Sequence, residues 1–333
     1  MPTRIAVDAM GGDHAPHAVV EGAVHALQSN DDLEVLLFGP AATLEPLVAD
    51  LDPDHALALS IHDAPDIVGM SEAPSSALRT KPNSSIHLGL GAHKAGAADA
   101  FVSGGNTGAV MAASLFLLGR AQGVSRPSVI GFFPTTTSYC IVLDVGTNVD
   151  CKPEHLVQFA KMGAVYARRV MDRPEPRVGL MNVGEEPGKG NEVVKATYEL
   201  LREATGFDFV GNIEGRDVFH HAADVVVCDG FVGNVMLKLG ESLTTVLGPL
   251  VKKEMARQDV APAHQQVVGQ VLKGVLRQFD YVEFGGAPLL GVNGTVLLAH
   301  GSSSARAFKH LIEAAVRVAN QGVAASVADA LAP

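Results

Sequence analysis

Cysteine is scarce in this sequence, with three residues, Cys140, Cys151 and Cys228, among 333. An odd count without CxxC spacing is not the pattern of a disulfide framework and fits a reducing cytoplasm. Cys140 in "YCIVLD" and Cys228 in "VVVCDG" lie in apolar runs, where cysteine acts as a small hydrophobe rather than a nucleophile. Cations are also in the minority, 25 Lys and Arg against 36 Asp and Glu for a net charge of −11. That balance argues against nucleic acid as the main partner, because a phosphate backbone demands clustered cations. Long apolar runs are missing as well. The chain reaches Asp8 without a stretch suited to a signal peptide. The uncharged stretch from Ala100 to Gly119 loses its membrane-spanning character to Ser103, Gly104, Gly105, Asn106 and Thr107. A soluble protein is expected.

Repeats, low-complexity tracts and linkers are absent too, so nothing marks a domain boundary. The common nucleotide fingerprints fail in detail. "GLGAHKAG" lacks the third-glycine spacing of GxGxxG. "GEEPGKGN" is one residue too short for a P-loop and carries Gly190 where magnesium needs a hydroxyl. Asp8, Asp13 and His14 have no second cluster to complete a metal site. No metal and no cofactor are expected.

What is present is an alternation of short β-branched runs with longer helical patterns. "RIAVDA", "LEVLLFG", "DAFVSG", "CIVLDVG", "RVGLMNVG", "FVGNIEG" and "ADVVVCDG" are continuous apolar strands ending in Gly or Asp. Such runs belong to a parallel sheet buried on both faces. The expectation is an α/β protein, a doubly wound three-layer α/β/α sandwich over residues 1–333, as a single domain or two lobes. Ligands should gather at the carboxyl ends of the strands. Residues 234–280 break the alternation with two helical stripes. One runs through Leu243, Val246, Leu247, Leu250 and Val251, the other through Val267, Val268, Val271, Leu272, Val275, Leu276 and Phe279. They predict a helical hairpin turning at "RQDVAP".

The recurrent motif is a strand, a glycine-rich turn and a helix. "VSGGNTGAV" places Gly105, Asn106 and Thr107 there, and "DGFVGNVMLK" places Gly233 and Asn234 at a second predicted helix start. Free amides and a positive helix end suit an anion, although Asn and Thr are also ordinary N-caps. Lys189, in a glycine-flanked loop after a strand, supplies a cation. In "VDAMGGDHAP", Asp8 ends the first strand, Gly11 and Gly12 let backbone approach closely, and Asp13 orients donors. His300 in "LLAHGSSS" is a further rim candidate, with a capping role as the plainer reading.

Seven segments in order, "VDAMGGDHAP", "SGGNTGAV", "LDVGTN", "MNVGEEPGKGNE", "GNIEGRD", "VVVCDGFVGNVMLK" and "FGGAPLLGVNGTVLLAHGSS", cover nearly the whole chain. Together they resemble the bacterial acyl-carrier-protein:phosphate acyltransferases of phospholipid synthesis, the PlsX family. Gly104 and Thr147 stand where that family usually has alanine, and neither change removes a polar group. The resemblance implies a Rossmann-like fold akin to phosphotransacetylase and isopropylmalate dehydrogenase, and the two stripes predict that the 234–280 hairpin protrudes from it. It implies inorganic phosphate and an acyl carrier protein as partners, a homodimer, and loose membrane association of a cytoplasmic enzyme. In the implied reaction phosphate attacks a long-chain acyl thioester. Lys189, Asn234 and Asn106 are the expected catalytic donors. Asp8, Gly11, Gly12, Asp13, Gly105, Thr107, Gly233 and His300 are the expected substrate contacts. Alternatives are a phosphotransacetylase acting on acyl coenzyme A and a non-catalytic scaffold. An NAD-dependent dehydrogenase of this fold would need a nucleotide loop and an aspartate cluster, and the sequence has neither. Residues 251–277 carry five cations against Glu254 and Asp259, a net +3, a patch suited to the acidic carrier or an anionic bilayer.

Overall fold

A computed structural model of the chain describes residues 1–279 and 284–332. They form two compact units, one of residues 1–130, 165–174 and 284–332, the other of residues 131–164 and 175–279. The expected α/β class holds, with the strands shared between two mostly parallel sheets.

In chain order the first unit begins with β1 (Thr3–Asp8), α1 (His17–Leu27), β2 (Leu33–Gly39), α2 (Ala41–Leu51) and β3 (Leu59–Asp63). It continues with α3 (Pro74–Thr80), α4 (Ser85–Lys94), β4 (Ala100–Ser103), α5 (Thr107–Leu117) and β5 (Ser128–Val129). The second unit supplies β6 (Gly131–Pro134), β7 (Tyr139–Leu143), β8 (Arg177–Met181), α7 (Glu192–Glu203), β9 (Asp208–Ile213), α8 (Gly215–Phe219) and β10 (Val225–Val227). Helix α6 spans Pro153–Val170, and α9 (Gly230–Arg257) and α10 (Pro262–Arg277) form the hairpin. The chain then completes the first unit with β11 (Ala287–Leu290), β12 (Val296–Leu298), α11 (Ala305–Asn320) and α12 (Val323–Leu331). The end of the expected hairpin at Asp280 lies outside the described residues.

The first sheet has the order β3-β2-β1-β4-β12-β11-β5. Strands β3 to β12 in that order pair in parallel, while β11 is antiparallel to both neighbours. Its inner parallel strands read as largely apolar runs because helices cover them: Ile5, Val7, Leu37 and Phe101 are fully buried. Helices α1 and α11 cross closely at Gly22, where a Cβ would sit 2.6 Å from the Ala305 carbonyl oxygen and the Phe308 Cβ. The second sheet has the order β6-β7-β10-β8-β9, parallel except for β6. Val225, Val226 and Val227 of its central strand are fully buried. Cys140 and Cys228 are core residues here, and burial pushes the Cys140 thiol up to about 12 and that of Cys228 well above its usual range. In α10 no residue is buried, and its valines at 267, 268, 271 and 275 stay exposed. Among the described residues no helix is long and apolar enough to cross a membrane.

Candidate functional site

In the first unit β1, β4 and β12 lie side by side and parallel, so the turns that follow them emerge at one edge of the sheet. Asp8 ends β1 at 1% exposure. One carboxylate oxygen accepts a hydrogen bond from the Ser103 hydroxyl at 2.6 Å, and the other accepts from the Met10 N–H at 3.2 Å. The Ser103 oxygen in turn accepts from the Gly105 N–H at 2.9 Å. Burial raises the Asp8 carboxyl above the usual range, and hydrogen bonds from Ser103, Ser85 and Met10 pull it back. Asp8 was expected at the ligand's edge; its oxygens are occupied beneath the turns, so it acts as their post. At Gly11 a Cβ would lie 2.5 Å from the Asp8 carboxylate and 2.6 Å from the Gly105 nitrogen. Only a glycine lets the two turns touch. Gly12, at φ +120°, brings the Asp13 N–H to the Gly301 carbonyl at 2.7 Å. The side chains of Asp13, His14, Thr107 and His300 are exposed. His300 accepts the Ser302 N–H at Nδ1 (3.3 Å) and bonds the Ser302 hydroxyl (2.9 Å), a local turn contact at the end of β12.

Asn106 was expected to donate to the ligand, and its geometry gives it other work. Its Oδ1 caps α5 by accepting the Ala109 N–H at 3.1 Å. Its Nδ2 faces the carbonyls of Gly69, Met70 and Glu72 at 3.3, 3.0 and 2.9 Å. An amide has two hydrogens, and this strap takes both.

In the second unit β7, β10 and β8 are parallel neighbours, and the turns after them again share a sheet edge. Asp144, fully buried after β7, accepts the Asn148 N–H at 2.5 Å. The next strand-end aspartate, Asp229, caps α9 through the Val232 N–H at 2.8 Å. The helix therefore starts at Gly230, four residues before Asn234, earlier than the expected start at Gly233 and Asn234. Gly233 is buried against the Asp144 carbonyl, with which a Cβ there would collide. Asn234 is exposed, and its side chain lies against Gly146 (φ +127°), where a Cβ would be 3.3 Å from its Oδ1.

Lys189 occupies the loop between β8 and α7 and is exposed. The loop is pinned from two strands. Asn182, just past β8, donates Nδ2 to the Lys189 carbonyl at 3.1 Å, and Asn212 of β9 donates to the Glu186 carbonyl at 2.9 Å. Gly190 at φ +89° packs on Asn182, where a Cβ would be 2.5 Å from Oδ1. The Lys189 stem folds over Gly184, and its ammonium enters no ion pair among the described residues. Asn191 closes the loop by capping α7. A lysine held on a stiff backbone without an ion pair among the described residues is a candidate contact for an anion.

The expected residues thus fall into two sets. Asp8, Gly11, Gly12, Asp13, Gly105, Asn106, Thr107 and His300 share one sheet edge of the first unit. Lys189, Gly233 and Asn234 share that of the second. Ser103, Asp144, Asn148, Asn182, Asn212 and Asp229 were not anticipated. All but Asn148 lie at or within two residues of a strand's end, which was a usable signal. No group of three or more His, Cys, Asp or Glu suited to a metal occurs among the described residues.

Relatedness says which family the chain belongs to. A family model described as fatty acid synthesis protein matches residues 3–326. A phosphate acyltransferase from Salinibacter ruber is 56% identical over 329 residues, covering 98% of this chain and 97% of that one. One from Desulforamulus reducens is 47% identical with the same coverage. Among solved structures, a phosphotransacetylase from Streptococcus pyogenes superposes with a TM-score of 0.61 at 18% identity, covering 95% of this chain and 94% of that one. The EutD phosphotransacetylase from Staphylococcus aureus gives 0.58 at 17%, with the same coverage. At such identities these two establish a shared fold alone. The family match and the full-length relatives go further: the chain belongs to the fatty acid synthesis protein family, the PlsX family that its seven segments resemble.

Proposed function

We propose that the protein is a phosphate acyltransferase that moves a long-chain acyl group from an acyl carrier protein thioester to inorganic phosphate. A phosphate oxygen attacks the thioester carbonyl carbon, and a tetrahedral oxyanion forms. The C–S bond then breaks to leave acyl phosphate and the carrier thiolate, which takes up a proton. Phosphate is already nucleophilic at neutral pH, so no side chain need be acylated. The protein's task is to hold, aim and stabilise charge.

The observation that carries this reading is Lys189, exposed and without an ion pair among the described residues, on a loop fixed by Asn182 and Asn212. In this family the ligand it suits is phosphate. Lys189 and Asn234 are assigned to charge stabilisation. Asp13, Thr107 and His300, exposed at the first unit's rim, are assigned to substrate contact, with Asp8, Gly11 and Asn106 as their support. The hairpin supports two further parts of the proposal, a homodimer and a peripheral contact of this cytoplasmic enzyme with anionic membrane through residues 251–277. Val246, Leu247 and Leu250 of α9 are exposed with the α10 valines, and Lys252, Lys253 and Lys273 of the same two helices are exposed as well.

The direct test mixes the protein with acyl carrier protein thioester and phosphate and traps acyl phosphate with hydroxylamine. Phosphate-dependent hydroxamate is expected. Its absence with the carrier thioester, or its formation from acyl coenzyme A alone, overturns the reading in favour of no transfer or of a coenzyme A donor.

A further inference from the structure

The rim of the first unit is polar where its turns are exposed, yet one segment offers it a large apolar side chain. Between β3 and α3, residues 66–73 form a strap. Asp66 anchors its start, donating its N–H to the Asn83 carbonyl at 3.3 Å and accepting the Asn83 N–H at 3.2 Å. Glu72 accepts the Gly69 N–H at 3.0 Å and pairs with Lys81, which also donates to the Ile67 carbonyl at 2.6 Å. Asn106 holds the carbonyls of Gly69, Met70 and Glu72 from the other side. So many hydrogen bonds on eight residues fix the backbone, while Met70 itself remains 47% exposed. Its terminal methyl lies 2.8 Å from where a Cβ on Gly301 would be, and the Asp13 carboxylate lies 3.5 Å from the same point.

We propose that Met70 is a specificity-determining residue against which the acyl chain of the thioester lies, and that the Asn106-clamped strap sets its position. The inference rests on the acyl-transfer reading above. A substrate with a charged reacting end and a long alkyl tail needs an apolar contact close to its polar cradle. A thioether with three rotatable bonds accommodates chains of varied length. Glycine at 301 leaves the space that the methyl occupies. Asn106 then acts as a positioning residue, moving Met70 rather than touching the reacting atoms.

The test is a chain-length profile of acyl phosphate formation with butyryl, octanoyl, dodecanoyl and palmitoyl carrier protein. Met70→Ala should raise KM for the two long donors about tenfold more than for butyryl, the scale of losing about two methylene contacts. Met70→Leu should restore most of the loss, and Asn106→Ala should shift the same long-to-short KM ratio. A Met70→Ala effect equal at every chain length, or none, overturns the proposal while leaving the acyl-transfer reading intact. Absence of turnover by the unmodified protein on all four donors overturns both.

Discussion

Ser103 is the residue whose loss the structure predicts most sharply. Its hydroxyl does two jobs within a fully buried site: it donates to the Asp8 carboxylate and accepts the Gly105 N–H. Ser103→Ala removes both partners and leaves a gap of one oxygen, too small to admit a water that would replace them. An unsatisfied buried group costs roughly 1–3 kcal/mol, and more if charged. The sum should be about 3–5 kcal/mol, a large part of a domain's ~5–15 kcal/mol. The deficit should also depend on pH. Burial already holds the Asp8 carboxyl above its unfolded value, and the Ser103 hydrogen bond opposes that shift. Without the hydroxyl the folded value rises further. A raised carboxyl binds its proton more tightly in the folded state, so stability falls as pH rises from the unfolded value, ~3.9, toward the folded one. Urea unfolding followed by circular dichroism should therefore show a larger deficit at pH 8 than at pH 5. A loss below about 0.5 kcal/mol at both pH values, the range of an ordinary surface change, or one that grows toward acid, would refute the reasoning.

Lys189→Ala and Asn234→Ala should each lower turnover about a hundredfold or more, as loss of a preorganised donor does, with unchanged circular dichroism; near-normal rates in both would remove them from the site. Gly233→Ala should cost more than ~3 kcal/mol, because its methyl would collide with the Asp144 carbonyl; an unchanged melting temperature would contradict that packing. His93 bonds the Ala98 carbonyl through Nδ1 and accepts the Thr295 N–H at Nε2, both at 2.9 Å, and burial lowers its pKa. Its neutral form is the one that folds, so stability is full above the unfolded value of ~6.5 and is lost as pH falls below it; thermal melts at pH 7.5 and 5.5 should show a drop that His93→Gln reduces. Glutamine at Lys252, Lys253 and Arg257 should weaken a salt-reversible association with anionic vesicles, and sedimentation indifferent to both charge and salt would mark the hairpin as structural.

The strands were legible because their physics is local. A β-branched run between two helix-covered faces has nowhere to place a charge, so "RIAVDA", "CIVLDVG" and "ADVVVCDG" announce themselves, and the residue after each run must lie at the sheet's edge. That placed Asp8, Asn106, Lys189 and Asn234 at strand ends or on the segments that follow strands without any knowledge of contacts. The hairpin was readable for the same reason, from two apolar stripes of helical period. Which strands share a sheet was not readable, since β4 pairs with β12 across nearly two hundred residues and no local signal encodes that partner.

The tertiary structure decided what each polar residue at a strand end does. Asp8 and Asp144 look alike in sequence, each an aspartate closing an apolar run, and both turn out to be buried acceptors beneath glycine turns. Asn106 and Asn234 likewise share a motif. One spends its amide on a cap and a strap, while the other stays exposed against Gly146. Sequence by itself determined the alternation of strand and helix, because burial on two faces selects residue types one position at a time. Only the folded chain determined which polar groups remain free for a ligand, because that depends on partners brought together from distant segments.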